Sequence, residues 1–362
     1  MPNQDLLTSV TRLRHTLHKH PELSGQERNT KELLKRYLVK HTSLALYDCA
    51  GGFYAVLRGA KPELPGIALR ADYDALPLPG GGAAHLCGHD GHAAVLCGVA
   101  RMLAGADLPR SVVLLFQSAE ETGEGAKACL GLFQREQIGE IYGAHNLPGF
   151  PLGKVLTRTG TFAFASQGLV LRCWGKAAHA AQPELGRSPA NAVGKFLYKL
   201  PDLPLKRLEH AAATCSVAGV RMGEKAFGTI AADAEIWLTL RAENDADLDY
   251  AVRAVSDQFG WYARTERLTF ACENVDVFPA TVNDAVCAQR VFSACGAEAL
   301  EKPMRWSEDF GNYLKVCKGA MFGIGAGENH PPLHSAAYEY DDRLLLPGIR
   351  AFLDLVHSFE AA

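Results

Sequence analysis

Val112-Val113-Leu114-Leu115-Phe116-Gln117-Ser118-Ala119-Glu120-Glu121 is the stretch on which the fold turns. The run 112–117 shows no alternation of apolar and polar side chains. Such a run suits a strand covered on both faces, as in a parallel sheet. Two carboxylates follow it at once. That pairing is costly behind a buried strand unless cations neutralise it. The plainer reading is an acidic first turn of a helix, where the dipole favours negative charge. The arrangement recurs, however. Gly66–Ala71 runs into Asp72-Tyr73-Asp74, and Glu140–Ala144 runs into His145. In open α/β sheets the edge just past the carboxyl ends of the strands is where ligands bind.

The surrounding chain supplies helices between these strands. Leu6, Leu7, Val10, Leu13 and Leu17 keep helical spacing until Pro21. Further helices are expected at about 28–40, 91–103, 125–133, 283–294 and 344–359, and further strands at 53–58 and 319–324. Between 168 and 275 the order becomes strand, helix, strand, strand, helix, strand. Ser188-Pro189 serves there as a helix start. That order is the split pattern of a ferredoxin-like sandwich. The expected fold is α/β: a mixed, largely parallel sheet with helices on both faces, plus an inserted ferredoxin-like α+β lid domain. The catalytic domain would comprise 1–165 and 277–362, and the insertion 166–276. With 362 residues, two domains are the ordinary expectation.

Composition narrows the function. Apolar residues make up 48% and charged residues 21%, with a net charge of −3 and no basic stripe. This disfavours nucleic acid and anionic membranes as partners. No apolar run approaches the about 18–20 residues of a membrane span, and the N-terminus shows no signal-peptide pattern. The ten cysteines are scattered without a disulfide framework. They read as reduced thiols of a cytoplasmic protein.

The chemistry concentrates in His85-Leu86-Cys87-Gly88-His89-Asp90-Gly91-His92. Imidazole and thiolate are good ligands for zinc, manganese, cobalt or nickel. Glycines let the backbone turn so that side chains converge. A single loop histidine is ordinarily structural; three with a cysteine and an aspartate point to metal. Glu120-Glu121, His145, and His330 with His334 add candidates from other loops. About five ligands exceed the need of one tetrahedral ion. Two ions could share a water and lower its pKa, while an unligated carboxylate nearby moves the proton.

At this point the residues resemble a family. The chain is similar to the amidohydrolase branch of the dinuclear-metal exopeptidases, which includes hippurate hydrolase, N-acyl-amino-acid hydrolases and auxin-conjugate hydrolases. The resemblance rests on an ordered set: His20-Pro21-Glu22-Leu23, 69–77, Cys87-Gly88-His89-Asp90-Gly91-His92, 116–121, Gly143-Ala144-His145, 175–181, Ser307-Glu308-Asp309-Phe310 and Leu333-His334-Ser335. It implies two divalent metal ions with Cys87 between them. Glu121 and His334 would complete one ion, and His89 and His145 the other. It also implies Glu120 as general base and acid, and Asp74 as a carboxylate that orients a ligand. His179 would polarise the substrate carbonyl. The inserted domain would act as lid and as the surface of a homodimer. His92 and Asp90 would stand behind the ligands, and His85 and His330 would touch substrate or be structural.

The implied reaction is hydrolysis of the amide bond of an N-acyl amino acid, a small-molecule amide substrate. Dipeptidase or aminopeptidase action at the same site is the alternative, as is a catalytically impaired metal-binding relative. Two departures stand out. Gly228-Thr229-Ile230-Ala231 replaces the family's Asn-Val-Ile-Pro, and the loop from Pro77 to His85 is short and rich in glycine.

Overall fold

The computed structural model describes Pro2, residues 4–207 and residues 211–360. Two compact units emerge. One comprises Met1–Phe162, Thr281–Met304 and Glu308–Ala362; the other comprises Ala163–Ala280 and Arg305–Ser307. Among the described residues, no helix is long and apolar enough to cross a membrane.

The first unit is built on eight strands. Their spatial order is Ala45–Cys49, Gly52–Leu57, Val112–Gln117, Gly66–Asp72, Ile138–Pro148, Lys318–Gly327, Val155–Thr157 and Glu298–Ala299. The four central strands run parallel. Antiparallel neighbours join on both flanks. Val112–Gln117 and Gly66–Asp72 are buried along their whole length, which is why neither alternates. Asp72 pairs with Gln117 in register, and Arg70 pairs with Gly143. The ends that carry polar groups are therefore level.

Helix His89–Leu103 is the centrepiece of this core. All but two of its residues, Arg101 and Met102, are buried. A helix apolar all round belongs inside a packed layer. Helices Gln4–Lys19 and Leu345–His357 contribute Val10, Leu13, Ile349 and Phe352 to the same cluster. Gly98 leaves room for Ile349, whose Cδ1 would lie 2.4 Å from an added Cβ.

The second unit has a four-stranded antiparallel sheet in the order Thr214–Met222, Asp233–Ala242, Ala165–Trp174, Thr269–Phe278. Helices Ala190–Lys199 and Asp245–Thr265 pack on it and on each other, with Phe196 and Phe259 in edge-to-face contact. This is the ferredoxin-like arrangement. Its core is separate from that of the first unit.

Several expected boundaries move. Ile138–Pro148 extends past the apolar run, so His145 lies within the strand, paired with Gly323, rather than beyond its end. Pairing with Lys318–Gly327 is what carries the strand onward. The helix expected over 125–133 is two short pieces, Gly125–Cys129 and Gly131–Arg135. The helix after Ser188-Pro189 starts at Ala190; the Ser188 Oγ still accepts from the Ala190 N–H at 3.3 Å. The acidic pair Glu120-Glu121 lies in a turn, not in the first turn of a helix. Strand Ala45–Cys49 has no counterpart in the expected elements. It is an edge strand, largely exposed, and carries no apolar run to reveal it.

Candidate metal centre

Cys87 ends the loop before the central helix, and Gly88 adopts φ +96° to start that helix at His89. A side chain at Gly88 would meet the Tyr338 hydroxyl at 2.4 Å and Asn146 Oδ1 at 2.5 Å. Gly91 acts differently. It lies within the helix, and an added Cβ would be 2.3 Å from the ring of Tyr340, which is 3% exposed. Overpacking of this kind costs about 1–3 kcal/mol. Gly91→Ala is therefore expected to lower the melting temperature of the metal-free protein; an unchanged melting temperature would mean that Tyr340 is not held in place.

Cys87, His89 and His145 present donor atoms within 4.8 Å of one another, and so do Cys87, Glu121 and His334. Cys87 is common to both groups. His145 Nε2 lies 3.4 Å from the Cys87 Sγ. Its Nδ1 donates to the Asn146 carbonyl at 2.8 Å, which turns the Nε2 lone pair toward the thiol. His89 is oriented in the same way. Its Nδ1 donates to Asp74 Oδ1 at 3.0 Å, and its Nε2 is buried with no hydrogen-bond partner. Glu121 Oε1 is likewise buried without a well-formed hydrogen bond, its nearest polar groups being His334 Nε2 at 3.5 Å and His89 Nε2 at 3.8 Å. Buried polar atoms normally find partners. Two that do not, aimed into one cluster of thiol, imidazole and carboxylate, fit a divalent cation.

Two loops hold this cluster in strained backbone. His334 has φ +63° and Ala119 has φ +53°, a region costly for residues with a side chain. The His334 N–H donates to the Leu86 carbonyl at 2.8 Å, tying its loop to that of Cys87. Ala119 precedes Glu120, and its own N–H donates to Glu27 Oε1 at 2.7 Å.

Electrostatics point the same way. The environment raises the proton affinity of His89 well above the usual histidine range. Burial opposes this, but the charges of Asp72 and Cys87 and the bond to Asp74 overcome it. His334 is pushed up to about 10, chiefly by its closeness to Cys87 and Glu121. His145 goes the other way, kept neutral by burial and by the neighbouring His92. Glu120 is pushed far up by burial and by the charges of Glu308, Glu121 and Asp309.

Asp74 reaches three groups. Beyond His89, its Oδ2 accepts from the Glu121 N–H at 3.0 Å and from Ser24 Oγ at 2.7 Å. His92 bridges Asp72 Oδ1 and Asn146 Oδ1, each at 2.6 Å. Asp90 faces away from the cluster, toward His18 at 2.9 Å and Arg14 at 3.5 Å. His330 turns both ring nitrogens to backbone carbonyls, those of Pro331 and Glu339, each at 3.0 Å. His85 is buried, with no hydrogen-bond partner at either ring nitrogen. His179 belongs to the second unit, where it pairs with Thr229, and Ala180 donates to the Gly228 carbonyl. Nothing lies within 4 Å of a Cβ added at Gly228, so the backbone there does not require glycine.

Sequence reading missed what lies behind Glu120. Arg70 is buried and meets Asp72 at 2.6 Å, Glu308 at 2.9 Å and Asp309 at 2.9 Å. Gln117 donates to both oxygens of Asp309, and the Asp309 N–H donates to Glu120 Oε1 at 3.2 Å. The only signal was the adjacent acidic pair in Ser307-Glu308-Asp309-Phe310, to which no role could be attached.

The family model described as peptidase family M20/M25/M40 matches residues 68–358. The chain belongs to this family. It is accordingly a hydrolase. It is 27% identical to an N-acetyldiaminopimelate deacetylase of Lacticaseibacillus paracasei, over 99% of this chain and 98% of the relative. It is 28% identical to a hippurate hydrolase of Campylobacter jejuni, over 94% of each chain. The solved structure of the Bacillus subtilis YXEP protein, described as a dinuclear metal binding peptidase from the M20 family, superposes with a TM-score of 0.82 at 25% identity, covering 100% of both chains.

Proposed function

We propose that the protein hydrolyses N-acyl amino acids to a carboxylic acid and a free amino acid. The observation that carries this is the convergence of Cys87, His89, Glu121, His145 and His334 into two donor groups sharing Cys87, with Glu120 beside them. The names of the relatives, a deacetylase and a benzoyl-amide hydrolase, agree with it. Two divalent ions would be held, one by Cys87, Glu121 and His334 and the other by Cys87, His89 and His145. When bound, such ions supply Lewis acidity, polarising a carbonyl oxygen and acidifying water. The mixed sulfur, nitrogen and oxygen donors suit zinc, manganese, cobalt or nickel.

The chain's own groups do the rest. Asp74 holds His89 by its Nδ1 and holds the Glu121 backbone, which keeps both donors aimed inward. Glu120, anchored by the Asp309 N–H, takes a proton from the attacking water. It then gives the proton to the amide nitrogen as the C–N bond breaks. His179 would polarise the carbonyl from the lid. The dimer would form through that unit: Thr214–Met222 is an edge strand with Val217, Val220 and Met222 exposed, an open edge of the kind that pairs with another chain. Ten free thiols suit a reducing cytoplasm.

A panel of N-acetyl and N-benzoyl amino acids and of dipeptides tests the reading, run on protein before and after chelation. Release of free amino acid from the acylated substrates is expected to vanish with chelator and return with metal. Preference for dipeptides would replace the substrate class, and no turnover by the metal-loaded protein would overturn the reading.

A further inference from the structure

Ten cysteines are free, but one pair stands apart. The Sγ atoms of Cys49 and Cys129 are 3.7 Å apart, although the residues are 80 positions apart in sequence. Cys49 ends an edge strand and is part-exposed; Cys129 ends helix Gly125–Cys129 and is 1% exposed. The two thiols differ in chemistry. The Cys129 hydrogen bond lowers the proton affinity of Cys49 against the opposing effects of burial and Asp48, with the Gly51 N–H and Lys31 helping, whereas the same bond raises that of Cys129. A part-exposed thiol with a second thiol against it is the arrangement of a redox-sensitive cysteine and its resolving partner.

The pair sits against the turn that carries Glu120 and Glu121. Gly125 donates to the Ala119 carbonyl at 3.0 Å, and Ala126 donates to Asp309 Oδ2 at 2.8 Å. There is no slack on the strand side. A Cβ added at Gly51 would lie 2.3 Å from the Gly125 carbonyl and 2.7 Å from the Cys129 Sγ. The Ser118 N–H donates to the Gly51 carbonyl at 2.9 Å.

We propose that Cys49 and Cys129 form a peroxide-sensitive dithiol whose closure to a disulfide displaces the Glu120-Glu121 turn and lowers activity reversibly. The Cys49 thiolate attacks one oxygen of hydrogen peroxide, breaking the O–O bond; it becomes a sulfenic acid, and one water leaves after protonation. The Cys129 sulfur then attacks the sulfenic sulfur, forming the S–S bond and expelling a second water. Two thiols lose two electrons and two protons in all, and peroxide is reduced to two waters. A disulfide needs its sulfurs about 2.05 Å apart, against 3.7 Å here, and whatever part of that closure side-chain rotation does not supply draws the helix toward the strand end. The bonds from Gly125 and Ala126 pass that shift to Ala119 and Asp309.

The disulfide itself does not depend on the proposed reaction; only the effect on rate does. Metal-loaded full-length protein is treated with hydrogen peroxide, free thiols are blocked with N-ethylmaleimide, and peptides are mapped by mass spectrometry. A peptide linking Cys49 to Cys129 is expected, with loss of amide hydrolysis that dithiothreitol reverses. Cys129→Ser, or Cys49→Ser should the first fail to fold, is expected to lack the linked peptide and the reversible part of the loss. Oxidation of Cys87 would persist in either variant, which separates the two sites. Absence of the linked peptide overturns the proposal. A linked peptide with unchanged activity overturns its regulatory half. Failure of the wild-type protein to hydrolyse any amide would sink the functional reading while leaving the peptide map decisive.

Discussion

Glu120→Ala is expected to bind metal as the parent does and to lose amide hydrolysis by about 10²–10⁴-fold, the usual contribution of a positioned general acid and base. Glu120 is not among the donors grouped with Cys87, whereas Glu121 is. Its Oε1 accepts from the Asp309 N–H, and its Oε2 lies 3.9 Å from His89 Nε2. Burial and three neighbouring carboxylates raise its proton affinity, so it accepts a proton more readily than an exposed glutamate would. Cations beside it would pull that affinity back down, toward the operating range of a general base. Metal content by elemental analysis and rate on the best N-acyl substrate decide the matter together. A variant with full metal and full rate would remove Glu120 from the mechanism. A variant that lost metal along with rate would make it a ligand, as the proximity of Glu120, Glu121 and His89 would then have to mean.

Arg70→Met is expected to cost about 3–5 kcal/mol of stability, the loss seen when one partner of a buried ion pair is removed and the other is left uncompensated. Arg70 is 1% exposed, and its guanidinium meets Asp72, Glu308 and Asp309. Its Nε also donates to Gln117 Oε1 at 2.8 Å. Methionine fills similar space but leaves Glu308 and Asp309 without their cation and leaves Asp72 to His92 at 2.6 Å. The midpoint and slope of urea unfolding measure the loss. A change of no more than about 0.5 kcal/mol, typical of surface substitutions, would mean that these carboxylates are protonated or reached by water. Arg70→Lys should recover only part of the loss, because one ammonium cannot match a fork that serves three carboxylates and an amide.

These two results bear on different parts of what could be read from the chain. Cys87, His89 and His92 were legible as a cluster because they are neighbours in sequence, and Glu120-Glu121 because a buried strand leads straight to them. His145 was legible as a candidate, but its strand was cut short, since pairing with Lys318–Gly327 is what extends it. His334 gained weight only from its family resemblance. Alone it is one more loop histidine, and in the fold it is separated from His330, which binds carbonyls instead.

The sequence by itself determined the types of donor, the buried parallel strands and the ferredoxin-like order of the second unit. Each of these is a local property: a run of side chains, a glycine before a helix, a periodicity. Tertiary structure alone decided which charges share a site. Arg70 and Glu308 are 238 positions apart, and Cys49 and Cys129 are 80 apart. No spacing announces such meetings. They follow from strands stacked out of sequence order, where Gly66–Asp72 lies between Val112–Gln117 and Ile138–Pro148. In that dry interior every charge must find an opposite one, and the fold supplies the partner from whichever segment is packed beside it.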